Sequence, residues 1–196
     1  RLQNFMRIHS NDKYYLQLDI RKYYYNINHN ILRNFISKII KDERIVNLIM
    51  LFVDTVKGIG LFVGNVLSQL FGLIYLSSLD HFIKRFLKIK HYIRYVDDFV
   101  LVGLEKSEAH ILKSKIESFL KDNLNLELSK FRIAKIKQGC NFVGFRTWKR
   151  VKFIRKHTLH NFSKAVKLQK EASIISILGH AKHSSSHKYL ISKLGA

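Results

Sequence analysis

Apolar positions along the chain follow two rhythms, one of period two and one of helical period. Residues 14–20 (Tyr-Tyr-Leu-Gln-Leu-Asp-Ile) alternate and read as a strand ending near Asp19. Ile31, Leu32, Phe35, Ile36, Ile39 and Ile40 keep helical spacing, and a second helical stretch runs to about Val53. Residues 57–64 hold Gly58, Gly60 and Gly64 and read as a loop or short hairpin. Ser68 then opens a long helix with Leu70, Phe71, Ile74, Leu76, Leu79, Phe82, Ile83 and Phe86 on its apolar side. Two apolar runs, Tyr92–Val96 and Phe99–Val102, flank Asp97 and Asp98 and predict a hairpin with the acids at its turn. Ser107 caps the next helix, whose inner face is Ile111, Leu112, Ile116, Phe119 and Leu120. Leu124, Leu126 and Leu128 alternate as a half-buried strand, and residues 141–146 and 151–155 give two more. From about Thr158 the chain turns basic and helical, with a His/Ser-rich turn at 180–187. This order predicts an α+β domain in which Asp19 and Asp97 can lie on neighbouring strands. The expected divisions are 1–148 for the sheet and its helices and 149–196 for a basic, helical C-terminal region.

Two adjacent carboxylates in so apolar a segment are costly to bury without compensation. A hard cation with oxygen ligands, magnesium above all, is a fitting partner; an exposed Asp-Asp turn is the alternative, because Asp favours turns in any case. Asp19 precedes Ile20, whose carbonyl offers another oxygen, and Asp97 and Asp98 follow 78 and 79 residues later. Three acids from two strands suit a two-metal site for in-line displacement at phosphorus. Charge narrows the substrate. In 196 residues, 35 Lys+Arg against 14 Asp+Glu give +21 and a pI near 10.1, the footprint of a nucleic-acid partner. The charge is spread along the chain, unlike a basic tail or a membrane-surface block. The longest apolar run, Leu70–Leu76, is too short to span a bilayer, and no secretory segment opens the chain, so no membrane partner is expected. A single cysteine, Cys140, excludes an internal disulfide framework and a cysteine-based zinc site, and suits a reducing cytoplasm. Nucleotidyl transfer is the reaction that joins these features.

Five ordered segments carry a family resemblance over about residues 14–146. Tyr95-Val96-Asp97-Asp98 is similar to the YxDD catalytic motif of reverse transcriptases, and Leu18-Asp19-Ile20-Arg21-Lys22-Tyr23-Tyr24 to their first palm motif. Val63-Gly64-Asn65-Val66-Leu67-Ser68-Gln69 resembles the second, Leu126-Glu127-Leu128-Ser129-Lys130 the lysine-bearing motif, and Asn141-Phe142-Val143-Gly144-Phe145 the primer grip. Most reverse transcriptases carry Gln-Gly-x-x-x-Ser-Pro in the second motif. The Val63-Gly64-x-x-x-Ser68-Gln69 form resembles that of diversity-generating retroelements, as does the Ser176–His183 run. The resemblance implies a right-hand palm with its primer grip at about 139–148, followed by a small helical thumb over 149–196. It implies an RNA-directed DNA polymerase, error-prone at template adenines, acting on template RNA, primer or cDNA and deoxynucleoside triphosphates beside a small basic accessory protein. By that resemblance Asp19, Asp97 and Asp98, with the Ile20 carbonyl, would hold two Mg2+ ions. Tyr24 would be a steric gate against a 2′-hydroxyl, Val63, Gly64 and Gln69 would flank the nascent pair, and Lys130 would position or protonate the leaving pyrophosphate. Ser68, Phe142, Val143, Gly144, Arg146, Lys149, Arg150 and Lys152 would meet nucleic acid, the basic ones through phosphate.

The chain departs from the family pattern in three places: Leu61-Phe62 replaces a usual Leu-Pro, Leu67 a usual Thr and Leu73 a usual Asn. Only eighteen residues precede Asp19, so most of the fingers region expected there is missing, and a chain starting at Arg1 reads as a fragment. A group II intron or retron reverse transcriptase is one alternative, against which Gln69 speaks. A non-catalytic RNA-binding palm remnant is the other.

Overall fold

The computed structural model describes residues 1–56 and 58–194; Lys57, where the glycine-bearing loop was expected to begin, lies outside the described residues. Alternation in Tyr14–Ile20 dictates a strand with two unlike faces, and this strand, β1, lies inside a four-stranded antiparallel sheet. The order is β2 (Tyr92–Tyr95), β3 (Asp98–Leu104), β1, β4 (Leu128–Lys135). Leu16, Leu18 and Ile20 point to one face, where with Phe99 and Leu101 they form the main core. The helices covering that face are α2 (His29–Ile39), α3 (Glu43–Val53), α4 (Val66–Tyr75), α5 (Ser77–His81) and α6 (Lys106–Leu124). Tyr15, Val100, Val102 and Ala134 point to the other face. There α1 (Leu2–Ile8) contributes Leu2 and Met6, and β5 (Cys140–Phe142) contributes Cys140 and Phe142.

β5 begins a second antiparallel sheet with β6 (Phe145–Thr147) and β7 (Lys152–Ile154). Three helices close the chain: α7 (Lys156–Lys167), α8 (Glu171–Ala181) and α9 (His187–Ser192). They gather around Ile154 in a third apolar cluster with Phe162, Ala181 and Leu190. The backbone of β7 joins this cluster to the small sheet, since Ile154 N–H donates to Ser186 Oγ (3.1 Å) and Ser185 N–H to the Lys152 carbonyl (2.8 Å).

Six boundaries differ from the sequence reading, each for a local reason. α6 starts at Lys106 with Glu105, not Ser107, as its cap, because Glu105 and Glu108 form a capping box. The strand expected over 141–146 is two, β5 and β6, because Val143 and Gly144 take positive φ and turn the chain back. The pattern predicts nothing before Tyr14, yet residues 2–8 form a helix because Leu2 and Met6, one turn apart, are buried under the second face of the sheet. α4 starts two residues before Ser68: Asn65 caps it, accepting from Leu67 N–H (2.9 Å), and Ser68 is buried within the first turns. The long helix is interrupted at Leu76 and ends in a π turn, Phe82–Phe86. By length and composition residues 66–86 are apolar enough to cross a membrane, but Phe71, Tyr75, Leu76, Leu79 and Ile83 are all buried in the main core. The strand expected at Leu124–Leu128 begins only at Leu128, because α6 runs on to Leu124 and closes with Asn125 at φ 50° and a Leu126 N–H bond to Leu120 (3.0 Å).

Gly103 fixes how β3 meets the segment after α1. Its φ is +93°, and a Cβ there would lie 2.2 Å from the His9 ring, which itself bonds His91 at 2.7 Å. Gly103→Ala should therefore cost about 1–3 kcal/mol through backbone strain and overpacking. Urea unfolding should show a lower midpoint at an unchanged slope.

Candidate active site

Register places the acids. Asp19 stands directly opposite Asp98 on β3 and Lys130 on β4, so Asp98, Asp19 and Lys130 form one row across the sheet. The next row along is Val100, Gln17 and Arg132. All lie on the face that α1 and β5 cover lower down, and the acid row stands beyond that cover at the end of β1. Neighbouring polar groups orient it. The Gln17 amide donates to both Asp98 oxygens (3.0 and 3.3 Å) and to the Asn141 carbonyl (2.8 Å), tying the acid to β5. Its oxygen accepts from Cys140 Sγ (3.7 Å), whose thiol is pushed up to about 12 by burial and by Asp98 and so keeps its proton. A bulge at Ser129, where β4 slips one residue against β1, turns that hydroxyl onto the Asp19 carboxylate.

The hairpin between β2 and β3 turns on Val96 and Asp97, because Tyr95 pairs with Asp98. Val96 has φ 55°, a costly conformation for a β-branched residue. Arg94 braces the turn from below. Its Nη1 donates to the Val96 carbonyl (2.9 Å), while Nε and Nη2 clasp Asp80 of α5 at 2.8 and 2.5 Å. Tyr92 adds a hydroxyl bond to the same carboxylate (2.7 Å). Burial alone would lower the Arg94 pKa, but the bonds and charge of Asp80 raise it above its ordinary value. On the far side of the turn, Ile20 N–H donates to the Asp97 carbonyl (3.3 Å) and locks the hairpin to the end of β1.

Electrostatics set Asp97 and Asp98 apart. Burial raises the Asp97 carboxyl above the usual carboxylate range; a bond from its own N–H opposes this and the charge of Asp19 adds to it. Asp98 is raised by burial as well, opposed by the Gln17 bond and reinforced by Asp19 and Asp97. Among the described residues none of the three has an ion-pair partner. Nor, among them, do any three His, Cys, Asp or Glu side chains converge closely enough to hold a metal ion by themselves. Magnesium needs no such set, since one or two carboxylates plus substrate phosphates suffice, so the chemistry of Asp19, Asp97 and Asp98, hard oxygen donors without a cationic partner, fits it.

A cleft of about 610 Å³ runs beside the turn. Its lining includes Tyr24, Val63, Gly64, Asn65, Ser68, Gln69, Leu73 and Tyr95–Val96, and also Asp80, Lys84 and Arg94. The structure thus brings together four sequence-predicted nucleotide residues and Ser68. Tyr24 sits close enough to Asp97 for burial and that charge to raise its phenol pKa. The loop that carries Val63 and Gly64 is rooted on the Tyr24 turn: Leu61 N–H bonds the Tyr24 carbonyl (2.7 Å), Gly60 N–H the Ile27 carbonyl (2.8 Å), and Asn28 bridges Ile59. His29 clasps this root, its ring nitrogens meeting Asp54 Oδ1 (2.8 Å) and the Gly60 carbonyl (2.7 Å). Lys130 lines a separate recess of about 320 Å³ with Gln17, Asp19, Asp98, Phe131 and Arg132.

The other sequence-predicted contacts divide. Val143 and Gly144 form the tip between β5 and β6, both at positive φ (46° and 79°). Its φ favours glycine at 144, and a Cβ there would come within 2.9 Å of the tip of His180, whose ring stacks on Phe145 at 4.4 Å. Phe142 is buried in the second core and presents no surface. Arg146 folds back, donating to the Gln138 carbonyl (2.9 Å) and lying 4.9 Å over Trp148. Lys149 donates to the His9 carbonyl (2.6 Å), Lys152 lies over Phe145 (4.4 Å), and Arg150 is exposed. Sequence reasoning missed Gln17, Ser129, Arg94 and Asp80. Gln17 alone had a signal, a polar residue two before Asp19 and hence on the same face.

A row of acids on an antiparallel sheet, next to a turn and a cleft, is the palm arrangement of a template-copying polymerase. The chain belongs to the family described as reverse transcriptase (RNA-dependent DNA polymerase), whose model matches residues 2–147. Among solved structures it is similar to apo telomerase from Candida tropicalis truncated from the C-terminal domain, at 18% identity and TM-score 0.62 over 79% of this chain and 38% of that one. It is similar also to C. tropicalis telomerase with the TWJ fragment of telomeric RNA (14%, TM-score 0.63, 98% of this chain and 42% of that one). A third is the foamy viral protease-reverse transcriptase in complex with RNA/DNA hybrid (17%, TM-score 0.55, 98% and 25%). The chain therefore spans about a quarter to two fifths of these proteins. No curated protein matches it in sequence.

Two outcomes test this geometry. Arg94→Ala leaves Asp80 without its guanidinium and the Val96 carbonyl without a donor; breaking a buried pair from one side costs about 3–5 kcal/mol, here towards the lower end because Asp80 is partly exposed, and chemical denaturation should show it. Asp97→Asn should act oppositely. A carboxyl whose folded pKa is raised holds its proton more tightly in the folded state, so stability falls as pH rises from the unfolded pKa through the folded one. The variant should melt higher than the parent at pH 7, and the gain should vanish near pH 4.

Proposed function

We propose that this chain is the catalytic palm, followed by a small helical thumb, of an RNA-directed DNA polymerase. The observation that carries the reading is the acid row, Asp98 and Asp19 side by side with Asp97 on the adjoining turn, opening next to the cleft of Tyr24, Val63, Gly64 and Gln69. Asp19, Asp97 and Asp98, with the Ile20 carbonyl, would hold two magnesium ions, which when bound activate the primer hydroxyl and neutralise the leaving phosphates. Tyr24 blocks the position of a 2′-hydroxyl on the incoming nucleotide. Gln17 and Ser129 orient Asp98 and Asp19. Lys130, across from Asp19, donates a proton or charge to the departing pyrophosphate. The β5–β6 tip at Val143-Gly144 supports the primer end, and the helices of 149–196 form the thumb that holds the duplex, with basic side chains such as Lys152 on phosphate. The partners are template RNA, primer or cDNA and deoxynucleoside triphosphates; two of the similar structures are complexes with RNA or an RNA/DNA hybrid.

The finer reading is a diversity-generating retroelement enzyme working in the cytoplasm with a small basic accessory protein. Its support is Val63 and Gln69 in the cleft wall: a valine in place of a long amide removes a hydrogen-bond donor from the side of the nascent pair, loosening its geometry. The test is primer extension on an RNA template with magnesium, using the full-length protein, followed by sequencing of the products. Asp97→Ala and Asp19→Ala should each lower extension by about a hundred- to a thousandfold, the range for loss of a principal electrostatic group, with RNA binding retained. Synthesis unchanged in those variants would reject the site. Errors spread evenly over the four template bases would reject the retroelement reading while leaving the polymerase intact.

A further inference from the structure

A second recess lies at the opposite end of the sheet from the acids. Asn11 and Lys137 join there through a backbone bond (3.3 Å) just past the Tyr14 end of β1. Asp19 is five residues further along that strand, about 17 Å away at the usual rise. The recess has a volume of about 750 Å³ and is walled by α1, the turn before β5 and the turn between β6 and β7. Four cations line it, Arg7, Lys137, Lys149 and Arg150, and no carboxylate does. Such convergence of like charge raises the energy of the empty site and favours an anion. Two aromatic rings complete the wall. Trp148 and Phe153 meet edge to face at 5.9 Å, and Phe153 is 40% exposed.

The indole is held in place. A Cβ on Gly139, whose φ is +71°, would come within 2.5 Å of it, so only glycine admits the ring there. Arg146 lies over it at 4.9 Å, with its Nε buried and without a partner. The recess is also braced across its width: Arg7 Nε donates to the Lys149 carbonyl (2.8 Å), and Lys149 Nζ to the His9 carbonyl (2.6 Å). Lys137 and Arg150 are exposed, and among the described residues neither pairs with an acid. Fixed aromatic surface beside free cations is the chemistry that takes a base by stacking and its phosphates by charge.

We propose that this recess is a binding site for single-stranded nucleic acid, separate from the acid row and able to hold a strand that is not being copied. A base lies against Trp148 and Phe153, and the flanking phosphates meet Lys137 and Arg150. The inference does not depend on the chain being an active polymerase.

Trp148 is the only tryptophan in the chain, so its fluorescence reports on this recess alone. The protein is titrated with hexauridylate and, in parallel, with inorganic tripolyphosphate. Saturable quenching by the oligonucleotide is expected, kept in Asp97→Asn. Little change is expected with tripolyphosphate at equal phosphate concentration. Lys137→Glu/Arg150→Glu, both on the surface, should bind at least about tenfold more weakly, and its log–log salt dependence should be shallower by about two. Oligonucleotide bound by anisotropy with no change in Trp148 emission would overturn the proposal, as would unchanged affinity and salt slope in the double variant. Equal quenching by tripolyphosphate would overturn it in favour of a simple phosphate site.

Discussion

Everything at the acid site depends on β1 having two faces that cannot be exchanged. Leu16, Leu18 and Ile20 must meet the helices, so Tyr15, Gln17 and Asp19 must meet the opposite side. A slip of one residue would carry the whole apolar set to the wrong face, and burial of the main core therefore fixes register. Once register is fixed, Asp19 has no choice of neighbours: Asp98 stands on one side and Lys130 on the other. The burial that holds the sheet together thus also aims the chemistry.

That aim is held against electrostatic preference. Asp97 and Asp98 sit half-buried beside a third carboxylate, and the turn between β2 and β3 holds a valine at φ 55°. Each is a local cost of the kind that survives only where surrounding structure over-determines it. The surrounding structure here is the Arg94, Asp80 and Tyr92 network below the turn, the Ile20 bond behind it, and Gln17 reaching from β1 to β5. Gln17 has a further effect, because the same amide that orients Asp98 also bonds the Asn141 carbonyl. The acid and the β5–β6 hairpin cannot shift independently.

Much of this was legible in the sequence, and what was not has physical causes. The strand Tyr14–Ile20, the hairpin that carries Asp97 and Asp98 and helices α2, α3 and α6 followed from the pattern of apolar positions, although the turn falls at Val96-Asp97 and Asp98 already belongs to β3. The α1 helix was not visible, since a seven-residue helix has too few apolar positions to show a period and exists only because Leu2 and Met6 find the second core. Asn65 displaced Ser68 as a cap because either residue can serve, and tertiary burial of Ser68 decided between them. Within the site, acids and ring residues announced themselves by type and spacing, whereas Arg94 and Asp80 did not. One among 35 basic residues has no sequence mark of being buried; only the packing of α5 under the hairpin distinguishes it. Arg146 shows the reverse, a basic residue beside a predicted contact surface that folds back on its own strand pair.

The loop carrying Val63 has a fixed root and a free tip. Gly60 and Leu61 are bonded to the Tyr24 turn and clasped by His29, while Phe62 and Val63, 67% and 51% exposed, stand clear of the fold. Side chains at the tip can be exchanged without loosening the root that positions them. Variation in how tightly the cleft holds its contents can therefore accumulate at little expense to folding, so this part of the wall is open to drift and selection even though its root is bonded in place.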